Sequence, residues 1–352
     1  MLQVPAELLG LSAESVLLVR NGRIVYANEA ADRLFGADCA GRPLRSLLGA
    51  ELVEIQASSC IVETELQGRR RLVRIQNVEG LRLYLFHAAE YAPNEINEAF
   101  RYSLRSCLMQ MNVNCSLLQD RAEALGDTAL SGPLSSLKRD YFHLSRVIGN
   151  LSIIQDAAAE KLAFHPVTLD LCSFLRDLAD SVSALVPHPE LLLRLPETLT
   201  TRADPALLET MVMNLLSNAI LHAKGCTRIG ISLHATQEQV IFSVGDNGCG
   251  ISPSGLRTVF DRYRHGLGLS SMANGAGFGL TAVREIARVH GGTLLLESRE
   301  GSGTAVRVSL SRKLSPSLSA QDVGPAYERS YDSILTGLAD CLPLSAFSGV
   351  YQ

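Results

Sequence analysis

The spacing of apolar residues changes along the chain, and the first part alternates in the manner of short strands. The segments SVLLVR and RIVYAN flank Asn21-Gly22, a pair typical of a tight hairpin turn. Asn28 stands where a helix N-cap belongs, ahead of EAADRLFG, and CIVETELQ, RRRLVRIQN and LRLYLFHA then follow as three more strands. A hairpin, short helices and a closing run of strands predict a small α+β domain over residues 1–91.

Between residues 92 and 160 the apolar spacing lengthens to three and four residues, which predicts two long helices. The first carries Ile96, Phe100, Leu104, Leu108, Met111, Cys115 and Leu118 on one stripe, and the second, after GDTALSGP, carries Leu134, Leu137, Tyr141, Leu144, Ile148 and Leu151. Two helices joined by a short loop form an antiparallel hairpin. One hairpin can hardly bury both stripes, so we expect a four-helix bundle made with a second copy, that is, a homodimer.

The rest of the chain predicts an α/β domain over residues 161–312 and a tail over 313–352. FHPVTLDLCSFLRDLADSV predicts a strand, a cap at Asp170 and a helix, and helices and strands alternate beyond it. The tail opens with the Ser, Pro and Gly of a linker and then places Tyr331, Leu335, Leu338 and Leu342 on one side of an amphipathic helix. Packing onto the preceding domain is favoured for this helix over docking to a partner.

Composition narrows the function classes. The 352 residues suggest two or three domains, and 47% hydrophobic with 19% charged residues is typical of folded proteins. A net charge of −4 without a run of Lys or Arg argues against nucleic acid as a partner. No apolar run approaches the roughly 20 residues that span a bilayer, and the N-terminus does not resemble a signal peptide. Eight scattered cysteines without a CxxC pair favour reduced thiols over a zinc site or disulfides, and hence a cytoplasmic location.

Four short motifs stand in one order: MVMNLLSNAILHA (211–223), DNGCGI (246–251), VFDRYRHG (259–266) and GAGFGL (275–280). Each is weak alone, since a glycine-rich turn is often purely structural. Together they resemble the N, G1, F and G2 boxes of the ATP-binding domain shared by histidine kinases, DNA gyrase and mismatch-repair ATPases. VREIARVHGGTLLLESREGSGTAVRVSL resembles the closing helix and strand pair of the histidine-kinase version. The resemblance covers about 165–312 and implies a GHKL-type (Bergerat) α/β sandwich that binds Mg-ATP.

Residue roles follow from this resemblance. Asn214 and Asn218 lie four apart on one helix face; by resemblance Asn218 gives its amide oxygen to Mg²⁺, which prefers oxygen ligands, and Asn214 faces the phosphates. Asp246 ends a strand where its carboxylate can accept the adenine amino group. Two sets of glycines complete the site, Gly248 and Gly250 in the turn beside the base, and Gly275, Gly277 and Gly279 at the start of a helix whose N-terminal amides can meet phosphate.

Other positions of the ATP site remain open between alternatives. Phe260 belongs to the F box, and Arg264 or His265 could supply the arginine expected just after it. Leu221 occupies a position that is usually basic in the family, and the following His222 is either a phosphate-side donor or a partly buried residue that caps the helix. RYRHGLGLSSMAN, between Asp261 and Gly275, contains the Gly and Ser suited to a mobile lid.

The first long helix contains a segment that departs from the family at its reactive positions. In histidine kinases this helix carries a motif close to H-E-L-R-T-P-L, and the matching residues here are Tyr102 to Leu108. Leu104, Arg105 and Leu108 agree, whereas Tyr102, Ser103 and Cys107 replace the acceptor histidine, the acid and the proline. A phenol with a pKa of about 10 is mostly protonated at neutral pH, and Ser103 cannot act as the base.

A substitute acceptor histidine is not evident from the sequence. None of the eight histidines is on the first helix, and His143 on the second lies opposite about residue 115, about 20 Å along the axis from Tyr102 at 1.5 Å per residue. His143 falls beside the apolar stripe, so we expect it on a solvated face. A phosphotyrosine ester is also too stable to pass its phosphoryl group on readily.

A second resemblance concerns the N-terminal region. LLVRNGRIVYANEAADRLFGADCAGRPLRSLL is similar to the opening of a PAS sensor domain, which implies an unknown ligand or dimerisation, although a PAS shell with an ordinary packed core fits equally well. The whole order resembles a sensor histidine kinase of a two-component system, with a response regulator as the implied partner. Three functions stay open: an ATP-dependent signalling protein without histidine autophosphorylation, acting as phosphatase or dimer partner; a kinase with an acceptor elsewhere; and a non-catalytic dimeric scaffold.

Overall fold

The computed structural model describes residues 15–36, 38–53, 55, 59–66, 69–78, 80–88, 98–256, 259, 278–312 and 331–348. The principal helices are α1 Glu29–Phe35, α2 Ala50–Val53, α3 Glu98–Leu125, α4 Ser131–Ala158, α5 Leu171–Leu185, α6 Pro205–His222, α7 Phe278–Val289 and α8 Tyr331–Gly337. The strands are β1 Ser15–Arg20, β2 Arg23–Ala27, β3 Ser59–Leu66, β4 Arg69–Val78, β5 Leu81–Ala88, β6 Val167–Asp170, β7 Glu190–Arg194, β8 Thr200–Ala203, β9 Arg228–Ala235, β10 Gln239–Asp246, β11 Leu294–Arg299 and β12 Gly303–Ser311.

The N-terminal region is an antiparallel sheet in the order β2-β1-β5-β4-β3 with short helices beside it. Asn21 and Gly22 both have positive φ, as a tight hairpin turn requires. The side chain of Asn28 caps α1 by accepting a hydrogen bond from Ala31 N at 3.0 Å, and it also accepts one from Val16 N at 2.9 Å. The predicted hairpin, capped helix and three further strands are therefore present.

Helices α3 and α4 form the predicted antiparallel hairpin, each 28 residues long. Because Cys107 stands where a proline would kink the helix, α3 continues through this position without a break. The apolar stripes are only partly buried within one chain. Leu108 and Cys115 are buried, whereas Met111, Leu118, Leu137 and Leu144 are 37 to 52% exposed. The exposed half of each stripe is the surface that the predicted second copy would cover.

The C-terminal α/β region places α5, α6 and α7 against the strands β11, β12, β10 and β9, which are antiparallel, and β7, which is parallel to β9. The layers meet through fully buried side chains such as Leu178, Met211 and Ile231. Strands β6 and β8 form a separate two-stranded sheet. This is the helix-on-sheet sandwich that the resemblance implied.

The two regions share one ten-stranded sheet, which the sequence did not predict. Strand β3 pairs with β11, with Ile61 opposite Leu296 and Val62 opposite Leu295. The side chains cross the junction in both directions, because Ile61 is buried in the α/β core while Leu295 packs against the N-terminal core. The N-terminal region is thus in direct contact with the α/β region.

The described part of the tail, residues 331–348, packs back onto the molecule, as its apolar pattern predicted. Leu335, Leu338 and Phe347 are fully buried, while Tyr331 at the start of α8 is exposed. His143 on α4 was predicted on a solvated face; its side chain is partly exposed, and its imidazole Nδ1 is in addition hydrogen-bonded to the carboxylate of Asp340 in the tail. The partner lies 197 residues away in sequence, so no local pattern could reveal it.

Two further expectations concern reduced cysteines and the absence of a segment long enough to span a bilayer. All eight cysteines are free thiols, four of them buried, and Cys107 and Cys249 are exposed. Among the described residues, no helix combines the length and the apolar character needed to cross a membrane.

Candidate ATP-binding site

Helix α6 positions both asparagines of the first motif, and its start is fixed by Asp204. The Asp204 carboxylate accepts hydrogen bonds from Ala206 N at 3.0 Å and Leu207 N at 3.1 Å, and Pro205 occupies the first helical position. The helix continues to His222 without interruption. Asn214 and Asn218 are therefore one turn apart, as predicted, but their surroundings differ.

Asn214 is buried at 2% exposure and fully hydrogen-bonded. Its Nδ2 donates to Asn150 Oδ1 at 2.8 Å and to Thr210 O at 2.9 Å, and its Oδ1 accepts from Asn150 Nδ2 at 2.9 Å. Arg146 adds two longer contacts to the same oxygen, 3.3 and 3.4 Å. Residues of α4, together with Thr210 of α6, therefore occupy the amide of Asn214 in this conformation, and its contact with the phosphates stays a prediction.

Asn218, one turn later, is partly exposed, and no hydrogen bond to its amide is found among the described residues. An amide oxygen in this state can be given to a cation without breaking an internal contact. The chemistry of the group therefore fits the predicted magnesium ligand.

The turn after β10 holds Asp246 in a half-buried position. Its Oδ1 accepts a hydrogen bond from Gly248 N at 2.9 Å. Burial raises the pKa of the Asp246 carboxyl above its ordinary value, although backbone hydrogen bonds from Gly248 and Thr304 act in the opposite direction. A partly desolvated carboxylate at the end of a strand is a strong acceptor for an amino group.

The glycines of this turn allow close contacts between segments of the protein itself. A Cβ on Gly248 would lie 2.6 Å from the Cβ of Ala223, directly after α6. Gly250 has a φ of +65°, and a Cβ there would lie 2.1 Å from the carbonyl oxygen of Arg299. The predicted approach of the backbone to a base stays a prediction, whereas the tight fit against α6 and the β11–β12 turn is observed.

Several residues that the sequence did not single out complete the turn. Gly303, with a φ of +93°, passes so close to Asp246 that a Cβ would lie 2.0 Å from its carbonyl oxygen. Asn247 Oδ1 accepts from Thr227 N at 3.0 Å and Arg228 N at 2.9 Å, and Ser298 Oγ accepts from Ile251 N at 2.8 Å. The spacing of Gly301 and Gly303 between two strands was a signal that could have identified this contact.

The remaining predicted residues are only partly covered. His222 ends α6 with an exposed side chain, which does not agree with the alternative of a partly buried histidine. Gly279 lies in the first turn of α7, and a Cβ there would approach Asn214 Oδ1 to 3.0 Å, so the start of α7 adjoins α6. The other predicted residues, Phe260, Arg264, His265, Gly275 and Gly277, lie outside the described residues.

Residues 203–314, which include α6, the β10 turn and α7, match the family described as histidine kinase-, DNA gyrase B- and HSP90-like ATPase. Sensor protein KdpD of Escherichia coli (strain K12) is 39% identical over 127 residues, 36% of this chain and 14% of that protein. Sensor histidine kinase WalK of Bacillus subtilis (strain 168) is 23% identical over 324 residues, 84% of this chain and 52% of that protein. Residues 203–314 thus match the ATPase domain of this family, and the chain as a whole is similar to sensor histidine kinases.

The chain spans only part of these relatives, namely 52% of the length of WalK and 14% of the length of KdpD. Among solved structures, the ATP binding domain of PrrB from Mycobacterium tuberculosis is 28% identical with a TM-score of 0.34, and the match covers 42% of this chain and 97% of that one.

The segment that resembles the acceptor motif of histidine kinases lies on α3. Tyr102 is within the helix, but its side chain lies outside the described part of the structure. Ser103, Ser106 and Cys107 are exposed. Arg105 reaches across the hairpin and donates from Nη2 to Ser152 Oγ on α4 at 2.8 Å. The polar face of α3 is thus partly used to hold the hairpin together.

Proposed function

We propose that this chain binds Mg-ATP and acts in two-component signalling without phosphorylating a histidine of its own. The observation that carries the proposal is the state of Asn218 and Asp246. Both are polar groups at the ATP-binding motifs. The Asp246 carboxylate is half-buried and accepts a hydrogen bond from Gly248 N, and the Asn218 amide makes no hydrogen bond among the described residues.

The case for nucleotide binding rests on the burial of Asp246 and on the hydrogen bonding of Asn218. The raised pKa of Asp246 means that burial disfavours its charged form, so the carboxylate is held at some expense in stability. The partly exposed amide of Asn218 makes no internal hydrogen bond among the described residues. An adenine amino group would add a second kind of partner to the Gly248 hydrogen bond at Asp246, and a Mg²⁺ ion would give Asn218 a partner that the described residues do not supply.

The argument against histidine autophosphorylation rests on the sequence of α3. Glu98–Leu125 contains no histidine, and the position of the acceptor is Tyr102 with Ser103 in place of the neighbouring acid. A neutral imidazole has an available lone pair near pH 7, whereas a phenol of pKa about 10 does not. ATP binding would then serve a change of conformation, or phosphatase or partner functions towards a response regulator.

The exposed apolar residues of the hairpin favour a homodimer. On α3, Met109 is 69% exposed, Leu117 is 62% and Leu118 is 52%, and on α4 Leu137 and Leu144 are 39 and 44%. Exposed apolar side chains in this number on both helices of a hairpin favour an association surface. A four-helix bundle with a second copy would bury these side chains.

The antiparallel strand order β2-β1-β5-β4-β3 of the N-terminal region also supports a PAS-type sensor there, with an unknown ligand.

Calorimetric titration of the full chain with Mg-ATP tests nucleotide binding, with Asp246→Ala as the variant and Glu300→Ala, an exposed site on the β11–β12 turn, as the control. Binding that is lost in Asp246→Ala and kept in the control is the expected result. Absence of binding, or binding unchanged in Asp246→Ala, would support a non-catalytic scaffold instead. Label transferred from γ-labelled ATP to a separate protein, and not to this chain, would support a kinase with an acceptor elsewhere.

A further inference from the structure

The tail segment 331–348 lies in the groove between the hairpin helix α4 and the ATPase helix α6. Phe347 packs against Phe142 of α4 with ring centroids 5.8 Å apart. On the other side, Gly337 lies so close to α6 that a Cβ would be 2.7 Å from the Cβ of Met213. Leu335 and Leu338 are fully buried between these contacts. One short segment therefore touches both the hairpin and the ATPase domain.

Arg146 of α4 connects the tail to α6 by direct hydrogen bonds. Its Nη1 donates to Asp340 Oδ2 at 2.8 Å and to Ser217 Oγ at 2.7 Å. Its Nε and Nη2 point to Asn214 Oδ1. The guanidinium is only 11% exposed, so the carboxylate of Asp340 is the charge that compensates a largely buried cation.

Asp340 also binds His143, one turn before Arg146 on the same helix. A single carboxylate of the tail thus holds two basic side chains of α4. Removing it would leave Arg146 largely buried and without its ionic partner, which favours movement of this side chain towards water. The position of α4 against α6 therefore depends on the tail.

The consequence reaches the ATP site through Asn214. Its amide oxygen accepts from Asn150 and Arg146, and its amide nitrogen donates to Asn150 as well as to Thr210; Asn150 and Arg146 both lie on α4, the helix that the tail packs against. While this arrangement lasts, Asn214 cannot turn to the phosphates of a nucleotide. Separation of α4 from α6 would return the amide of Asn214 to the pocket.

We propose that residues 331–348 are an intramolecular latch that clamps α4 onto α6 through Asp340 and Arg146 and so keeps Asn214 away from the nucleotide. The proposal rests on the proposed function, since it concerns the same ATP site. Release of the tail, rather than formation of a new contact, is then the step that makes the pocket fully competent.

A reversible cross-link tests the latch without deleting buried residues. Cys341 Sγ lies 3.4 Å from Ser217 Oγ, so Ser217→Cys places two thiols side by side between tail and α6. The variant is oxidised with diamide, the disulfide between the introduced thiol and Cys341 is verified by mass spectrometry of peptides, and Mg-ATP is titrated before and after reduction. Ser217→Cys with Cys341→Ser, treated identically, is the control for oxidation of other cysteines.

The expected result is an apparent Kd about tenfold weaker in the oxidised variant than in the reduced one, as when a binding-competent fraction falls to about a tenth. The control should show no such difference. Equal affinity in both states, or tighter binding when oxidised, would overturn the latch. Failure of the disulfide to form would show that the tail does not occupy this groove and would overturn it as well.

A second variant acts in the opposite direction. Asp340→Asn keeps the size of the side chain but removes its charge, so it should bind Mg-ATP several-fold more tightly than the unmodified chain. If Mg-ATP binds in an Asp246-dependent manner but neither variant changes its affinity, the latch is wrong and the proposed function stands. If no variant binds Mg-ATP in any state, the proposed function fails, and the latch with it.

Discussion

The segment of α3 that resembles an acceptor motif and the turn after β10 differ in how far they keep the residues expected from histidine kinases. On α3 the chemically reactive positions carry Tyr102 and Ser103, yet the helix is continuous from Glu98 to Leu125, and Arg105 still connects it to Ser152 on α4. In the β10 turn, the glycines are required by the fold itself. At Asp246 burial raises the pKa of the carboxyl and so opposes its charged form, while Gly248 N donates a hydrogen bond to it. A partly buried carboxylate kept against its own desolvation is a stronger sign of function than a glycine that close packing requires.

Restoring the α3 site is the change with the largest expected effect. Tyr102→His with Ser103→Glu supplies an imidazole and a neighbouring acid, so incubation with γ-labelled ATP and Mg²⁺ should give acid-labile, alkali-stable label where the parent gives none. Tyr102→Phe with Ser103→Glu is the matched control and should remain unlabelled. A histidine-bearing variant that binds ATP but takes no label would place the loss deeper than α3.

Gly250→Ala tests the claim that the turn glycines serve the fold. The substitution forces a left-handed residue against the carbonyl of Arg299, so the free energy of unfolding should fall by about 3 kcal/mol. Urea denaturation without nucleotide measures the loss. Gly301→Ala, also at positive φ but with open space around its Cβ, is the control and should lose less. Equal losses would remove the argument from close packing.

Asp246→Asn should have the opposite profile to Gly250→Ala: it should lower the affinity for Mg-ATP and leave the free energy of unfolding without a loss. Loss of a charged acceptor weakens Mg-ATP binding by about 1.5 to 3 kcal/mol, or more than tenfold, by calorimetry. The folded-state pKa of Asp246 is raised, so its charge disfavours the folded state as pH rises above that pKa. The thermal midpoint of the nucleotide-free variant at neutral pH should therefore be equal or higher. A lower midpoint would show that the carboxylate is structural.

The two asparagines of α6 extend the same contrast. Asn218→Ala should weaken Mg-ATP binding and leave the unfolding free energy unchanged, because no internal partner found among the described residues is lost. Asn214→Ala should lower the unfolding free energy by about 1 to 3 kcal/mol, since Asn150 loses its amide partner in a buried site. Parallel denaturation and titration of both variants measures this. An inverted outcome would contradict the different roles given to the two residues.

The smallest effect concerns pH and the latch. The hydrogen bond to Asp340 raises the pKa of the His143 imidazole, with Arg146 opposing and Asp140 assisting. Because its folded-state pKa is raised, the protonated imidazole of His143 stabilises the folded protein fully below the ordinary pKa of about 6.5. This stabilisation is lost as the pH rises through the folded-state pKa. Relative to His143→Gln, the parent should lose at most about 1 kcal/mol between about pH 6 and about pH 8.5 in urea denaturation. A parallel pH response in both proteins would show that this pair contributes nothing.

Local patterns predicted the elements that local contacts determine. The Asn21-Gly22 turn, the Asn28 and Asp170 caps and the hairpin α3–α4 all depend on residues close in sequence, and all could be placed from it. The pairing of β3 with β11 could not, because a strand edge carries no sign of its partner. The partners Asp340 and Arg146 lie 194 residues apart, and Asn150 and Asn214 lie 64 apart. The state of Asn214 was therefore beyond the reach of its motif.

One incubation of the unmodified full chain with γ-labelled ATP and Mg²⁺ tests the central claim, that the nucleotide site is kept while the acceptor is lost. Nucleotide retained by the native protein on a filter reports binding, and label remaining on the denatured chain after separate acid and alkali treatment reports covalent transfer. We expect retained nucleotide and no acid-labile, alkali-stable label. Such label on the unmodified chain, or no retained nucleotide, would contradict the account.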